Sequence, residues 1–324
     1  MSPKSLFLAL LLSAIVPAVA NADGLPLPVD DAGPGGIVAR DGSGRYVTIP
    51  VRGGTLVERV ETSGGRIADS KFLPGSFTIP VVALDGTPDG LSSNGHTLVL
   101  IRPRAGFPRS KTALVVLDTR RLTTRRMITL RGDFSFDAVS RDGSTIFVIN
   151  YIDPTDPTRY RVRALDPATG RLAPHAIVDP KEPGDAMRGY PLDRATSPDG
   201  AWHYTLYDAS PRHPFVHALN TEERRAKCID LPPFPNGVDS SALRLGLLGG
   251  GRTLTVGSLA TVDTRSFEVT PGSKARPAAR QAKRGSGASV VPWIAGFGVL
   301  LLAGGVVLSR RSRRRSRGRT AAAA

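Results

Sequence analysis

A single cysteine, Cys228, in 324 residues excludes an internal disulfide framework and any cysteine-rich metal site. Aromatic residues make up only 6% of the chain, too few for the interleaved stacking platform that single-stranded nucleic acids need. The formal charge of +15 is also unevenly placed. All 28 acidic residues lie within 23–270, where they nearly balance the cations, so the surplus belongs to the two ends. A near-neutral central region leaves no electrostatic footprint for a phosphate backbone, and no nucleic-acid partner is expected. No Gly-x-Ser-x-Gly nucleophile elbow, calcium-loop spacing or phosphate-cradling glycine loop occurs in it either.

The two ends address the chain. Residues 1–22 carry Lys4, an apolar stretch from Leu6 to Val16, and small residues at Ala18, Ala20 and Ala22, the layout of a cleaved secretory signal. From Gly285 to Ser309 there is no charge, and residues 289–309 supply the roughly 20 residues that a membrane helix requires. Seven arginines from Arg310 to Arg319 follow at once, which predicts a cytoplasmic tail over 310–324 and an exterior location for what precedes the span. Residues 271–288 are rich in Gly, Ser, Ala, Lys and Arg and should form a flexible basic stalk. The expected localisation is therefore the cell membrane, in a single pass, with 23–270 extracellular.

That central region repeats. A tight corner precedes a β-rich run in Ser92-Ser93-Asn94-Gly95, Ser140-Arg141-Asp142-Gly143 and Ser197-Pro198-Asp199-Gly200. Weaker copies stand at Ser43-Gly44 and Gly249-Gly250-Gly251, so corners recur roughly every 50 residues. Ser and Asp or Asn bond neighbouring backbone groups while Gly takes a positive φ, which makes each corner a turn and not a catalytic motif. A second landmark follows in step: Leu117-Asp118-Thr119, Leu165-Asp166-Pro167, Leu219-Asn220-Thr221 and Val262-Asp263-Thr264. Each unit thus holds about four short strands, and the strand after each corner is apolar on both faces, as a sheet covered on both sides demands. The predicted fold is all-β: a β-propeller of about five four-stranded blades over 23–270, followed by the C-terminal transmembrane helix.

These Ser-Pro-Asp-Gly corners and Asp-Thr turns resemble those of bacterial YVTN-type and Tol-translocation-type β-propellers. The stretch from Ser197 to Trp202, followed by Pro214 to Leu219, is similar to secreted, membrane-anchored actinobacterial propellers. The resemblance covers roughly residues 36–270. It implies a propeller but no particular activity, because propellers host binding, scaffolding and hydrolysis alike.

Candidate chemistry is sparse. His213 and His217 share a face if both lie on one strand, but then stand about 13 Å apart, too far for one metal ion. The single histidines His96, His175 and His203 leave a triad around the central channel open. Asp153 and Asp156 sit between prolines in what should be a plain turn. Arg120, Arg121, Arg125 and Arg126 make a basic edge expected to be solvated, and Cys228 is expected to be a buried structural thiol. No metal or cofactor is expected. The longest unit carries its excess in 179–191, a loop mixing both charges with an aromatic between prolines, so Glu182, Asp185, Arg188 and Tyr190 are the candidate binding residues. The expected function is a non-catalytic binding or scaffold module for an envelope protein, a peptide or a wall glycan. The alternative is an extracellular propeller hydrolase or lyase acting on a polymer through Asp89, Asp137 and Asp193, carboxylates that precede successive corners.

Overall fold

The computed structural model describes residues 36–181, 187–210, 212–235 and 239–272. All of them belong to a unit spanning 1–275, apart from a second unit of 276–324. The predicted signal, stalk, transmembrane helix and tail fall outside the described residues. Among the described residues no helix is long and apolar enough to cross a membrane.

The described chain is a succession of antiparallel meanders. Sheet 1 holds β1 (Ile37–Val38), β2 (Gly44–Val51), β3 (Gly54–Glu61) and β4 (Ile67–Pro74), paired in that order. Sheet 2 holds β5 (Thr97–Ile101), β6 (Lys111–Asp118) and β7 (Thr123–Arg131). Its innermost row is a short extended segment beside β5, where Leu91 bridges Leu98 and the Val99 amide donates to the Gly90 carbonyl at 2.8 Å. Sheet 3 comprises β8 (Phe134–Val139), β9 (Ile146–Tyr151), β10 (Arg159–Asp166) and β11 (Arg171–Ile177), with β12 (Met187–Arg188) added against β10. Sheet 4 comprises β13 (Tyr190–Thr196), β14 (Trp202–Asp208), β15 (Phe215–Asn220) and β16 (Arg225–Asp230). Sheet 5 comprises β17 (Leu245–Leu248), β18 (Thr253–Val256), β19 (Ala260–Asp263) and β20 (Val269–Pro271).

Consecutive sheets bury the faces that they turn to each other. Tyr46 and Val57 of sheet 1 pack with Leu98 and Leu117 of sheet 2. Val99 and Leu114 of sheet 2 join Phe136 and Val148 of sheet 3, and Phe147 and Val162 of sheet 3 join Leu219 of sheet 4. Leu206 and Val216 of sheet 4 close on Leu254 and Val262 of sheet 5. As the doubly apolar pattern requires, every residue of β5 is buried, as are Ile146 to Ile149 of β9. Five four-rowed meanders packed face to face, with their first strands converging, make a β-propeller.

The corners close as their composition dictates. At the third sheet, Ser140 Oγ donates to Asp142 Oδ1 at 2.7 Å, the Ser144 amide donates to the same oxygen, and the Thr145 amide donates to Ser140 Oγ at 2.9 Å. The same pattern recurs at Ser92 with Asn94 and at Ser197 with Asp199. The second landmark keeps step with the first because the two are bonded. Thr119 donates through its hydroxyl to the Gly95 carbonyl, Thr221 to that of Ala201 at 3.1 Å, and Thr264 to that of Gly251 at 2.7 Å. Pro167 cannot do this, and that copy keeps only the bond shared by all four, here from the Ala168 amide to Asp166 Oδ1 at 2.7 Å.

Gly95 and Gly143 occupy the same left-handed conformation, with φ of 72° and 76°. A methyl group on Gly95 meets nothing within 4 Å, whereas on Gly143 it runs into the Thr97 hydroxyl of the neighbouring sheet. Gly95→Ala should therefore cost about 1–2 kcal/mol for the backbone alone. Gly143→Ala should cost about 1–3 kcal/mol more from overpacking between sheets 2 and 3, a difference that paired urea denaturation curves measure directly.

Candidate functional site

The inner segment of sheet 2 and the first strand of sheet 3 carry Asp89 and Asp137 three residues before the corner serines Ser92 and Ser140, and in sheet 4 Asp193 stands four residues before Ser197, so that Arg194 takes the matching place. The residue after each aspartate is Gly90, Ala138 and Arg194. Ala138 packs between sheets 3 and 4, whereas Arg194 reaches across to the two aspartates. Arg194 Nε donates to Thr205 Oγ1 at 3.0 Å, and its terminal nitrogens reach the Asp137 carboxylate and carbonyl and lie 3.4 Å from Asp89 Oδ2. The side chains of Arg194, Asp137 and Asp89 are 3%, 2% and 11% exposed, so this is a buried ion cluster joining three sheets. Burial disfavours the Arg194 charge, but Asp137 and Asp89 outweigh it and hold its pKa above the ordinary value. Burial likewise pushes Asp89 up, and the hydrogen bond and charge of His203 together with the Arg194 charge bring it below the usual range.

The third aspartate does different work. Asp193 accepts from the Leu245 amide, tying sheet 4 to the first strand of sheet 5. It also meets Asp85, which sits on the connection from sheet 1 into sheet 2 and lies against β13 through Leu84 N to Pro191 O at 2.9 Å and Asp85 N to Leu192 O at 3.2 Å. Burial and the Asp85 carboxyl push Asp193 up to about 6. Asp85 settles below its ordinary value, because its hydrogen bonds to Asp193 and Thr87 overcome burial.

Two histidines approach this centre. His203 Nδ1 lies 3.5 Å from Asp89 Oδ2 and 3.4 Å from Thr196 Oγ1, while its Nε2 is buried with no hydrogen-bond partner. His217, opposite Thr205 in the β14–β15 pairing, is 2% exposed with neither ring nitrogen partnered. Burial drives its pKa down to about 4, so it is neutral at pH 7. His213 precedes β15 instead of sharing the strand with His217, which corrects the expected common face. Among the described residues no group of three or more His, Cys, Asp or Glu is placed to hold a metal.

Beside the ion cluster opens a cleft of about 420 Å³ between the inner segments of sheets 1, 2 and 4. Ile37, Val38, Pro88 and Leu91 line its apolar side, and Thr87, Ser93, Thr196, His203, Asp89 and Arg194 supply donors and acceptors. Arg40, also on its lining, crosses from sheet 1 to donate to the Ser197 carbonyl at 3.2 Å and to the Pro198 carbonyl.

The candidate binding residues are divided by the fold. Glu182 and Asp185 lie outside the described residues. Arg188 and Tyr190 are on strands, which corrects the expectation of a loop running through 191. Arg188 is exposed in β12 and pairs with Asp156 at 3.3 Å, and half-buried Tyr190 opens β13 opposite Asp208. The start of the insertion is anchored, since Asp179 Oδ2 accepts from Lys227 Nζ at 2.7 Å and from the Cys228 amide at 3.0 Å. Cys228 is half-buried and not enclosed as expected. Asp153 and Asp156 form the expected turn, accepting from Thr155 and Thr158. The basic edge is partly spoken for, with Arg125 on Asp118 and Arg126 on the Ala168 and Thr169 carbonyls. A second buried cluster escaped the sequence entirely: Arg104 and Arg109 share Asp133, and Arg104 lies 5.0 Å over the Tyr151 ring. Arginines separated by a Pro-containing loop from a lone aspartate leave no periodic signal.

No protein-family model matches the sequence, and no curated protein does. Among solved structures the chain is similar to TolB from Acinetobacter baumannii at 12% identity and a TM-score of 0.41, over 72% of this chain and 52% of that one. The chain thus spans about half the length of that TolB. It is also similar to the Cps50 (Swd1) β-propeller domain of Myceliophteria thermophila, at 12% identity and a TM-score of 0.42, over 72% and 69% of the two chains. A third likeness is to Kuenenia stuttgartiensis hydrazine synthase, at 15% identity and a TM-score of 0.40, over 74% and 79%. Such distant likenesses concern fold alone, and the propeller architecture rests on the sheet pairing described above.

Removing Arg194 should be severe, because Arg194→Met strands two buried carboxylates and is expected to cost about 3–5 kcal/mol in denaturant unfolding. Two other groups titrate with opposite sign. Asp193, raised in the fold, contributes stability that is full below its ordinary value of 3.8 and is lost as pH rises through about 6. His217, depressed in the fold, contributes stability present above 6.5 and lost as pH falls through about 4. Asp193→Asn should therefore make the protein more acid-sensitive between pH 6 and 4, and His217→Leu less so, as urea midpoints at pH 7 and pH 4.5 will report.

Proposed function

We propose that the propeller is a non-catalytic binding or scaffold module held at the cell surface, offering a rigid face to an envelope protein, a peptide or a wall glycan. The observation that carries this reading is the state of the axial carboxylates. Asp89 and Asp137, the groups a channel hydrolase would use, share the buried Arg194 guanidinium and serve to lock sheets together. The adjoining cleft has the mixed apolar and hydrogen-bonding lining of a recognition site. A polar epitope such as a sugar hydroxyl or a peptide amide fits the hydroxyls of Thr87, Ser93 and Thr196.

The membrane anchoring and exterior placement in this proposal rest on the order of segments at the two ends, a signal at 1–22 and an apolar stretch at 289–309 followed by arginines. The likeness to secreted, membrane-anchored propellers supports the same placement. A hydrolase or lyase is the second reading. Asp193, pushed up to about 6 beside Asp85, is the observation that favours it, since acid–base catalysis needs a carboxyl poised near neutrality. Its acceptance from the Leu245 amide gives it a structural occupation instead.

The full chain in non-ionic detergent, used as bait on solubilised membranes and wall fragments, tests the choice. Retention of an envelope component with no product released from wall polymer is expected. Product release with nothing retained would establish the enzyme and remove the binding module.

A further inference from the structure

The near balance of charge over 23–270 hides a local excess. Residues 97–131, which form the three strands of sheet 2 and their connections, hold nine lysines and arginines against a single acid, Asp118. Asp118 is answered by Arg125, and Arg104 and Arg109 are spent on buried Asp133. Arg102 lies over the Phe77 ring at 5.4 Å. Lys111, Arg120, Arg121, Arg126 and Arg131 are exposed, and among the described residues none of them forms an ion pair. These five follow β7, the outermost strand of the sheet: Arg120 and Arg121 in the turn before it, Arg126 within it, and Arg131 at its end opposite Lys111. The strand is also an open edge. It pairs with β6 alone, and its remaining backbone donors and acceptors meet no other group among the described residues. The outermost strands of the other sheets are guarded: β11 carries Pro174, β20 has three residues, β16 gives the Cys228 amide to Asp179, and β4 contains Asp69 and ends on Pro74. In contrast, β7 is nine residues long with neither proline nor acid. Ile128 and Leu130 turn into the core shared with sheet 3, so Met127, Thr129 and Arg131 turn the other way and are exposed.

We infer that the outer edge of β7 is a docking site for an acidic, extended segment of another protein, added to sheet 2 as a further strand. An edge lined with arginine repels a second copy of itself and admits a strand of opposite charge, so the residues that protect β7 also select its partner. Nine residues span about 30 Å, so a segment of about eight covers the edge and meets cations at both ends. Its side chains pair across the new rungs, with acids opposite Arg131 and beside the Arg120–Arg121 turn and an apolar residue opposite Met127, which is 55% exposed. Residues 23–35 of this chain carry Asp23, Asp30 and Asp31 but also Pro26, Pro28 and Pro34, which lack the amide that an edge requires, so the strand comes from a partner. The free backbone groups of β7 favour a peptide over a phosphate polymer, which would use the charge alone. The site is separate from the cleft, whose lining includes no residue of β7.

Fluorescence anisotropy of the full chain in non-ionic detergent tests the inference, with a labelled peptide that places Val-Thr-Val-Thr between paired glutamates. Binding at low salt is expected, weakening as ionic strength rises to about 0.15 M, where the screening length falls to about 8 Å. The fully N-methylated peptide keeps every charge but has no backbone donor, and should bind at least about tenfold more weakly. Arg121→Glu combined with Arg131→Glu should weaken the unmodified peptide at least about tenfold, while Arg252→Glu, just before β18 of sheet 5, should leave it unchanged. All three sites are exposed, and circular dichroism checks that the variants fold. No binding at about 1 mM peptide overturns the inference. Equal binding of the N-methylated peptide also overturns it, because the contact is then charge without a strand. A preference for polyphosphate, or for micelles doped with phosphatidylglycerol, over the peptide overturns it in favour of a phosphate surface.

Discussion

One guanidinium sets the terms for this molecule. A propeller leaves a hole where its first strands meet, and here Arg194 fills that hole while compensating aspartates from two other sheets. Two carboxylates could not stay ionised and buried side by side without it. Asp137 is all but sealed from water and Asp89 is nearly so, and the geometry in which both reach Arg194 is also the geometry in which sheets 2, 3 and 4 meet correctly. The hydrophobic clusters between sheets supply most of the cohesion but would tolerate sliding, and the ion cluster selects one arrangement among those the apolar contacts allow.

How much of this was legible in the residues depends on how local each feature is. The corner at Ser140 to Thr145 is made from its own six residues, so its composition declares it. The step between corners and Asp-Thr turns was visible as a regularity, and the bond from Thr119 to the Gly95 carbonyl supplies its cause. The doubly apolar runs Leu98 to Ile101 and Ile146 to Ile149 announced sheets covered on both sides. Asp89, Asp137 and Asp193 were visible as carboxylates preceding successive corners. Arg194 was not recognised, because its partners lie one and two sheets away in sequence. The clue was its place three residues before Ser197, where the other two corners have Asp89 and Asp137. The cleft was hidden for the same reason, being assembled from three separate sheets.

The insertion at 179–191 shows how a length anomaly misleads. Excess residues suggested one irregular loop, yet Met187 and Arg188 add a strand to sheet 3 and Tyr190 already belongs to sheet 4. Of the side chains expected to await a partner, Arg188 is committed to Asp156. Alternation along β2 was equally uninformative. A run of one polar and three apolar residues on alternate positions is what any covered strand displays, and only the assembled sheets reveal that Ile49 and Val51 are exposed among the described residues.

Every sheet here is drawn from one uninterrupted stretch of chain, and among the described residues no strand is lent from the last sheet to the first. Such a polypeptide can assemble progressively as it leaves the ribosome or a translocation pore, each meander docking on the one before. The central counter-ion, however, is encoded in the fourth meander, after both acids that need it. The nascent intermediate is thus kept loose at its hub until the chain has been delivered past residue 194, a built-in delay that leaves early sheets free to correct their docking before the centre sets.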